Sequence, residues 1–209
     1  MLYYLDMAYN EEKPLIIQSD RSILLETGGP NFEDARDSIA PFAELLKSPE
    51  HIHTYRITPL SLWNAAASGM TAVEIIDQLE RFSKYEIPQN VLVDIGESVA
   101  RYGRLKLFRN EKHELVLYSE DSLLITQILN QKTLQSYITG TPDGHHVAVQ
   151  DVDRGNIKCA LIKLGFPVED LAGYVEGAPL PLELRETTVG GRAFGLRKYQ
   201  LEAVDAFHA

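Results

Sequence analysis

Three helix starts stand in quick succession between Thr58 and Gly103, and they limit the architecture of this chain more than any other stretch. Thr58-Pro59 sets a hydroxyl cap before a proline at the first helical position, and Gly69 ends a helix carrying Leu62, Trp63 and Ala66. Thr71 and Glu74 stand at capping-box spacing, with Met70 and Ile75 at the positions of a hydrophobic staple, which predicts a second helix to about Tyr85. A third begins near Pro88, buries Val91, Leu92, Ile95 and Val99, and stops before Gly103. Arg104 to Phe108 and Glu114 to Tyr118 then alternate as the strands of a hairpin. Three helices followed by a hairpin is the order of a winged helix. Trp63, on an amphipathic helix, reads as core rather than as a base-stacking surface.

The flanks are mixed. Pro14 to Gln18 and Ile23 to Glu26 are short apolar runs joined by Ser-Asp-Arg-Ser, a hairpin pattern. Phe32, Ala35, Ile39, Phe42 and Leu46 follow at helical spacing from Asn31 to Ser48-Pro49, with Pro41 as a kink, and His51 to Ile57 returns as a strand. After a helical stretch near Asp121 to Gln131, Thr139-Gly-Thr-Pro-Asp-Gly144 is the strongest boundary signal. His146 to Gln150 reads as a strand and Asp153 to Leu164 as a helix, with extended pieces near Ala172 to Val175 and Leu180 to Arg185. Thr187 to Gly195, with three glycines and no period, reads as a connector. Leu201, Val204 and Phe207 then mark a helix with one apolar face, which at this position suggests a piece of a longer protein.

Charge restricts what such a fold binds. The net charge of −10 argues against a chain that coats nucleic acid nonspecifically. Residues 1–50 carry four basic and ten acidic groups, residues 51–140 nine and ten, and residues 141–209 seven and ten, so any DNA contact should avoid the first segment. The third helix would present Gln89, Asn90, Asp94, Glu97, Ser98 and Arg101, and its carboxylates oppose major-groove docking. The hairpin offers a basic cluster of Arg101, Arg104, Lys106, Arg109 and Lys112 with Tyr102 and Phe108 among them. Auxiliary DNA contact and a solvated polar sheet face both fit that cluster. Arg154, Lys158 and Lys163 are further DNA-contact candidates, with Asp151, Asp153, Glu169 and Asp170 close by.

Other chemistry has little support. His51 with His53, and His145 with His146, fall short of three or four convergent metal ligands, so no metal site is expected. The single cysteine, Cys159, lies in a helical pattern and reads as a small core residue; with no leader and no apolar run long enough for a membrane span, a cytoplasmic protein is expected. No nucleophile elbow is present, and no catalytic residue is assigned.

Four ordered blocks carry a family resemblance: His51-Ile-His-Thr-Tyr-Arg-Ile-Thr-Pro-Leu-Ser-Leu-Trp-Asn-Ala-Ala66, Arg101-Tyr-Gly-Arg-Leu-Lys-Leu107, Leu164-Gly-Phe-Pro-Val-Glu-Asp-Leu-Ala-Gly-Tyr174 and Leu196-Arg-Lys-Tyr-Gln200. Over about residues 14 to 209 the chain resembles the N-terminal half of the xeroderma pigmentosum group B helicases in their bacterial form. The resemblance implies an ATP-dependent superfamily-two DNA helicase or translocase acting in DNA opening and nucleotide excision repair, with ATP and Mg in the full-length protein. It makes Arg197, Tyr199 and Gln200 an incomplete adenine motif, Gln200 matching donor and acceptor on the adenine edge.

The phosphate loop that such motors need, ending Gly-Lys-Ser or Gly-Lys-Thr, occurs nowhere in these residues, so no cofactor and no ATP turnover are expected of the chain alone. The fold expected is α+β: a small sheet with a winged-helix-like unit over 1–138, a small α/β DNA-distortion-sensing domain over 139–186, a connector over 187–195, and the start of a truncated motor domain over 196–209. DNA, as duplex, bubble or damaged duplex, is the expected partner. The competing reading is a protein-interaction module that docks a repair nuclease or another factor without direct DNA contact.

Overall fold

A computed structural model describes residues 12–174, 177, 179, 181 and 184–208, and it divides into two compact units, 1–173 and 174–209. The first unit opens with β1 (Leu15–Ile17) and β2 (Ser22–Glu26), an antiparallel hairpin. Its turn is closed by Arg21 at φ 70° and by Asp20, whose carboxylate accepts from the Ser22 amide at 2.9 Å. Then come α1 (Phe32–Ile39), β3 (Glu44–Lys47) and β4 (Ile52–Arg56). The four strands form an antiparallel sheet in the order β1-β2-β4-β3, with a register shift between Leu45 and Lys47 on the edge strand.

The single helix expected from Asn31 to Ser48 is two elements. Pro41 has no amide to continue the helix, so α1 stops at Ile39 although Ala40, the residue before the proline, keeps helical backbone. Phe42 still reaches the core, fully buried, while Leu46 sits exposed in β3.

α2 (Pro59–Ala67) and α3 (Ala72–Phe82) form where the capping signals place them, and α4 (Gln89–Arg101) begins directly after Pro88. The Thr58 hydroxyl accepts from the Ser61 amide at 3.0 Å and the Ser61 hydroxyl from the Thr58 amide at 3.0 Å. Thr71 and Glu74 exchange the same pair of bonds at the head of α3. These helices pack Leu62, Ile75, Leu79, Val91 and Ile95 against Leu15, Ile23, Leu25 and Tyr55 of the sheet. Trp63 is buried, and its Nε1 donates to the Ser98 carbonyl at 3.0 Å, tying α2 to α4.

The second core lies beyond α4. β5 (Leu105–Arg109) and β6 (Leu115–Tyr118) make the expected hairpin, followed by α5 (Ser122–Leu129), β7 (Ile138–Asp143), β8 (His146–Val149), α6 (Arg154–Lys163) and β9 (Val168–Asp170). These strands form one sheet in the order β7-β8-β6-β5-β9, with β9 parallel to β5 and the other pairs antiparallel. The hairpin read as a wing is therefore the centre of a sheet that draws strands from both sides of residue 139. Thr139-Gly-Thr-Pro-Asp-Gly144, read as a boundary, is the body of β7 and its turn to β8, with Gly144 at φ 62°. Leu105, Leu107, Leu115 and Leu117 point to the face covered by Leu124, Ile125 and Ile128 of α5 and Ile157 and Leu161 of α6.

Three details depart from expectation. Cys159 is exposed, on the outer side of α6. Ala172 to Tyr174 form no strand, while residues 175, 180, 182 and 183 of the extended pieces lie outside the described residues. In the second unit, Thr187 to Gly195 is a small turn rather than a patternless connector: Thr187 bridges Ala193, the Thr188 amide donates to the Arg192 carbonyl at 2.8 Å, and Gly191 has φ 74°. α7 (Lys198–His208) follows. No helix among the described residues is long and apolar enough to cross a membrane.

Leu79 is fully buried under the first sheet, whereas Thr71 acts only through its cap. Equilibrium urea unfolding should therefore find Leu79→Ala costing about 2–5 kcal/mol and Thr71→Ala about 1 kcal/mol.

Candidate functional site

The chemistry-bearing residues gather where α4 hands over to β5. Gly103, at φ 80°, turns the chain there in a conformation that favours glycine. Arg101, Arg104 and Lys106 flank that turn. A cleft of about 440 Å³ is lined by Tyr102, Arg104, Lys106, Tyr118, Asp121 and Glu169, and a second of about 310 Å³ by Arg101, Arg104, Leu124, Gly165, Phe166 and Pro167. Arg104 is common to both.

The cations differ in how far their charge is spent. Arg101 has only a loose pair with Glu97 one turn back, at 3.8 Å. Arg104 donates to Asp121 at 2.9 Å, and the other oxygen of Asp121 caps α5 by accepting from the Leu123 and Leu124 amides. Lys106 has no hydrogen bond or ion pair among the described residues, although Glu169 is its neighbour across the parallel strands. Burial first, and the Glu169 charge second, raise the Tyr102 phenol above its usual range, so it stays a neutral donor.

The remaining basic candidates do not join this group. Arg109 turns to the chain after β8, pairing with Asp151 at 2.8 Å and donating to the His113 carbonyl, while its buried Nε has no partner among the described residues. Lys112 is exposed in the hairpin turn. Arg154 grips Asp170 with two bonds at 3.0 and 2.7 Å, and Lys158 reaches the same carboxylate at 2.7 Å. Desolvation alone would raise the pKa of Asp170; the bonds from Arg154, Lys158 and the Ala172 amide outweigh it and bring the pKa down to about 2. Of the α6 cations, Lys163 is exposed, beside a shallow cleft with Thr133, Tyr137 and Cys159.

The same internal pairing appears on α4. Asn90 donates to the Ser19 carbonyl at 2.7 Å and Asp94 faces Arg21 at 3.6 Å, so part of the helix face considered for groove reading holds the β1–β2 turn. His145 meets the Ser119 carbonyl and His146 the Asp143 carboxylate, while His53 packs edge-on against Phe32 and its buried Nδ1 has no hydrogen-bond partner among the described residues. No group of three or more potential ligands is arranged for a metal among the described residues.

In the second unit, Arg197, Tyr199 and Gln200 lie exposed at the head of α7. The Gln200 side-chain oxygen accepts from the Arg197 amide at 2.9 Å, half of a capping box. Its acceptor is thus engaged by the helix end. The Gly-Lys-Ser or Gly-Lys-Thr ending of a phosphate loop has no counterpart in the sequence. Tyr118 and Glu169 were not legible as site residues because cross-strand register brings them to the cleft, and Asp121 joins them as the cap of α5 bonded to Arg104.

The helicase conserved C-terminal domain profile matches residues 15–140, more than half of the chain. The chain belongs to that family. It is 48% identical over 197 residues to the DNA 3'-5' helicase XPB of Kineococcus radiotolerans, covering 93% of this chain and 34% of that protein. With the DNA 3'-5' helicase XPB of Mycobacterium tuberculosis the identity is 45% over 196 residues, 94% of this chain and 35% of that protein. The general transcription and DNA repair factor IIH helicase/translocase subunit XPB of Enterocytozoon bieneusi is 33% identical over 167 residues, 79% of this chain and 27% of that protein. The chain thus spans about a third of the length of the curated relatives it matches.

A carboxylate whose folded pKa lies below its unfolded value stabilises fully above pH 3.8 and loses that contribution as pH falls toward 2. Acid titration of stability should show roughly 2 kcal/mol lost in that window, absent from Asp170→Asn, which is already weaker by at least that amount at pH 7.

Proposed function

We propose that this chain is an accessory region of an ATP-dependent superfamily-two DNA helicase acting in DNA opening and repair. It lies ahead of the motor and positions DNA or a partner for it. The observation that carries this reading is 48% and 45% identity, over nearly the whole chain, to proteins named DNA 3'-5' helicase XPB. The placement ahead of the motor rests on Leu196-Arg-Lys-Tyr-Gln200, which follows the other matching blocks and opens α7. The family description speaks of a C-terminal helicase domain; the order of the blocks favours the segment before the motor.

In this division of labour, ATP and Mg act in the full-length protein, where a phosphate-loop lysine, absent from this sequence, and a Mg ion held by acidic residues would neutralise the transferred phosphate. Arg197, Tyr199 and Gln200 contribute the adenine edge. DNA meets the first unit through Arg101, Arg104 and Lys106, the cations at the α4–β5 junction; Lys163 is a secondary contact. The segment around β7, β8 and α6 acts as the distortion-sensing part, with the central hairpin shared between it and the three-helix unit.

A second reading has its own support. Arg109, Arg154 and Lys158 are neutralised internally, and edge strand β3 exposes Leu45 and Leu46 beside an acidic front, which suits a protein partner such as a repair nuclease. Salt-dependent binding separates the two. In fluorescence anisotropy the 209-residue chain should bind a bubble-containing duplex, with Arg101→Ala and Arg104→Ala each lowering the log–log salt slope by about 1. Indifference to both substitutions would favour the docking module. The chain alone should give no DNA-stimulated phosphate release from ATP; measurable turnover overturns the placement of ATP hydrolysis outside it.

A further inference from the structure

The second sheet has one face sealed by α5 and α6, and its other face carries a different chemistry. Alternation places Lys106 and Phe108 of β5, Val116 and Tyr118 of β6, and His146 and Ala148 of β8 opposite the leucine side. Register then sets Glu169, Lys106, Tyr118 and His146 in one row across four strands, with Phe108, Val116 and Ala148 in the next. The rings touch. Tyr118 and His146 lie 4.8 Å apart between centroids at 37°, and Phe108 meets both edge-on at 6.1 and 6.4 Å. All three are half-buried, so each keeps surface open to solvent.

The larger cleft opens at the end of this row, with Tyr102 and Tyr118 on its walls and Arg104 and Lys106 at its rim. Its volume of about 440 Å³ falls in the range of small-ligand pockets, roughly 300–1,000 Å³. Glu120, Asp121 and Glu169 share the cleft. Those carboxylates repel a phosphate backbone, yet they accept hydrogen bonds from the exocyclic amino groups of bases, as carboxylates do from cytosine. Rings for stacking, acceptors for base edges and one unpaired lysine match unpaired bases better than duplex phosphates.

We infer that the outer face of the second sheet, Phe108, Tyr118 and His146 together with the cleft edged by Lys106, binds the bases of single-stranded DNA. This rests on the DNA-positioning reading above and adds to it the strand form recognised and the residues that recognise it. Bases stack on Tyr118 and His146, and Lys106 faces the backbone. Because two cations at most take part, binding depends weakly on salt, with a log–log slope of magnitude about 1.4 or less.

Fluorescence anisotropy of the 209-residue chain with labelled oligo(dC), beside a fully paired duplex of equal length, tests this. Oligo(dC) should bind more tightly than the duplex, Tyr118→Ala and His146→Ala should each weaken it about tenfold, and Tyr118→Phe should leave it unchanged. A strand carrying 5-iodocytosine gives a readout independent of any variant's folding: ultraviolet adducts should map to Phe108, Tyr118 or His146. Adducts elsewhere, or alanine variants that bind oligo(dC) like the parent, overturn the inference. If Arg101→Ala and Arg104→Ala still weaken the bubble duplex in that case, the DNA-positioning reading stands without it. Failure of the chain to bind any of the three DNA forms removes both.

Discussion

The two-residue period of the β5–β6 hairpin governs everything built on the second half of this chain. Leu105, Leu107, Leu115 and Leu117 must face α5 and α6, because leaving four leucines in water would forgo about 2 kcal/mol each. That requirement sends Lys106, Phe108 and Tyr118 to the opposite side without further instruction. A one-residue slip would exchange the two sets, so the apolar core and the polar, aromatic face are fixed by a single constraint. Strands β8 and β9 extend both faces at once, adding His146 to one edge of the aromatic row and Glu169 to the other.

Internal pairing engages several of the cations on which DNA contact would depend. Asp170 satisfies two cations, Asp151 takes Arg109, Asp121 takes Arg104 while capping α5, and Asp94 lies against Arg21. Exposed pairs of this kind contribute little each, roughly 0–1 kcal/mol, but Asp170 is mostly buried and holds α6 to β9 with charge-assisted bonds. At the α4–β5 junction this leaves Lys106 without an ion pair among the described residues and Arg101 with only the loose pair to Glu97.

Local signals were legible and long-range ones were not. Thr58-Pro59 and Thr71 with Glu74 mark two helix starts because a cap is chemistry within four residues, and Pro88 marks a third through its fixed φ. Pro41 was read as a kink, but the helical spacing of Phe42 and Leu46 disguised the strand beyond it. Thr139-Gly-Thr-Pro-Asp-Gly144 has the composition of a linker, yet most of it is edge strand: proline is tolerated where one side of the ladder is unpaired. The sequence lists the basic candidates one by one, while their division into paired and unpaired members depends on Asp121, Asp151 and Asp170. Those partners lie 17, 42 and 16 residues away from Arg104, Arg109 and Arg154, and only the fold selects them.

The parallel pairing of β9 with β5 has a consequence for assembly. Leu105 must wait for Val168 before its strand acquires a second neighbour, whereas the antiparallel partner arrives within a short turn. Closing so large a loop is entropically expensive before any contact rewards it. On a ribosome the four-stranded sheet and its helices emerge complete while the other sheet still lacks its last strand. The amino-terminal portion thus matures first, and the wall of the cleft that contains Glu169 is among the last pieces to settle.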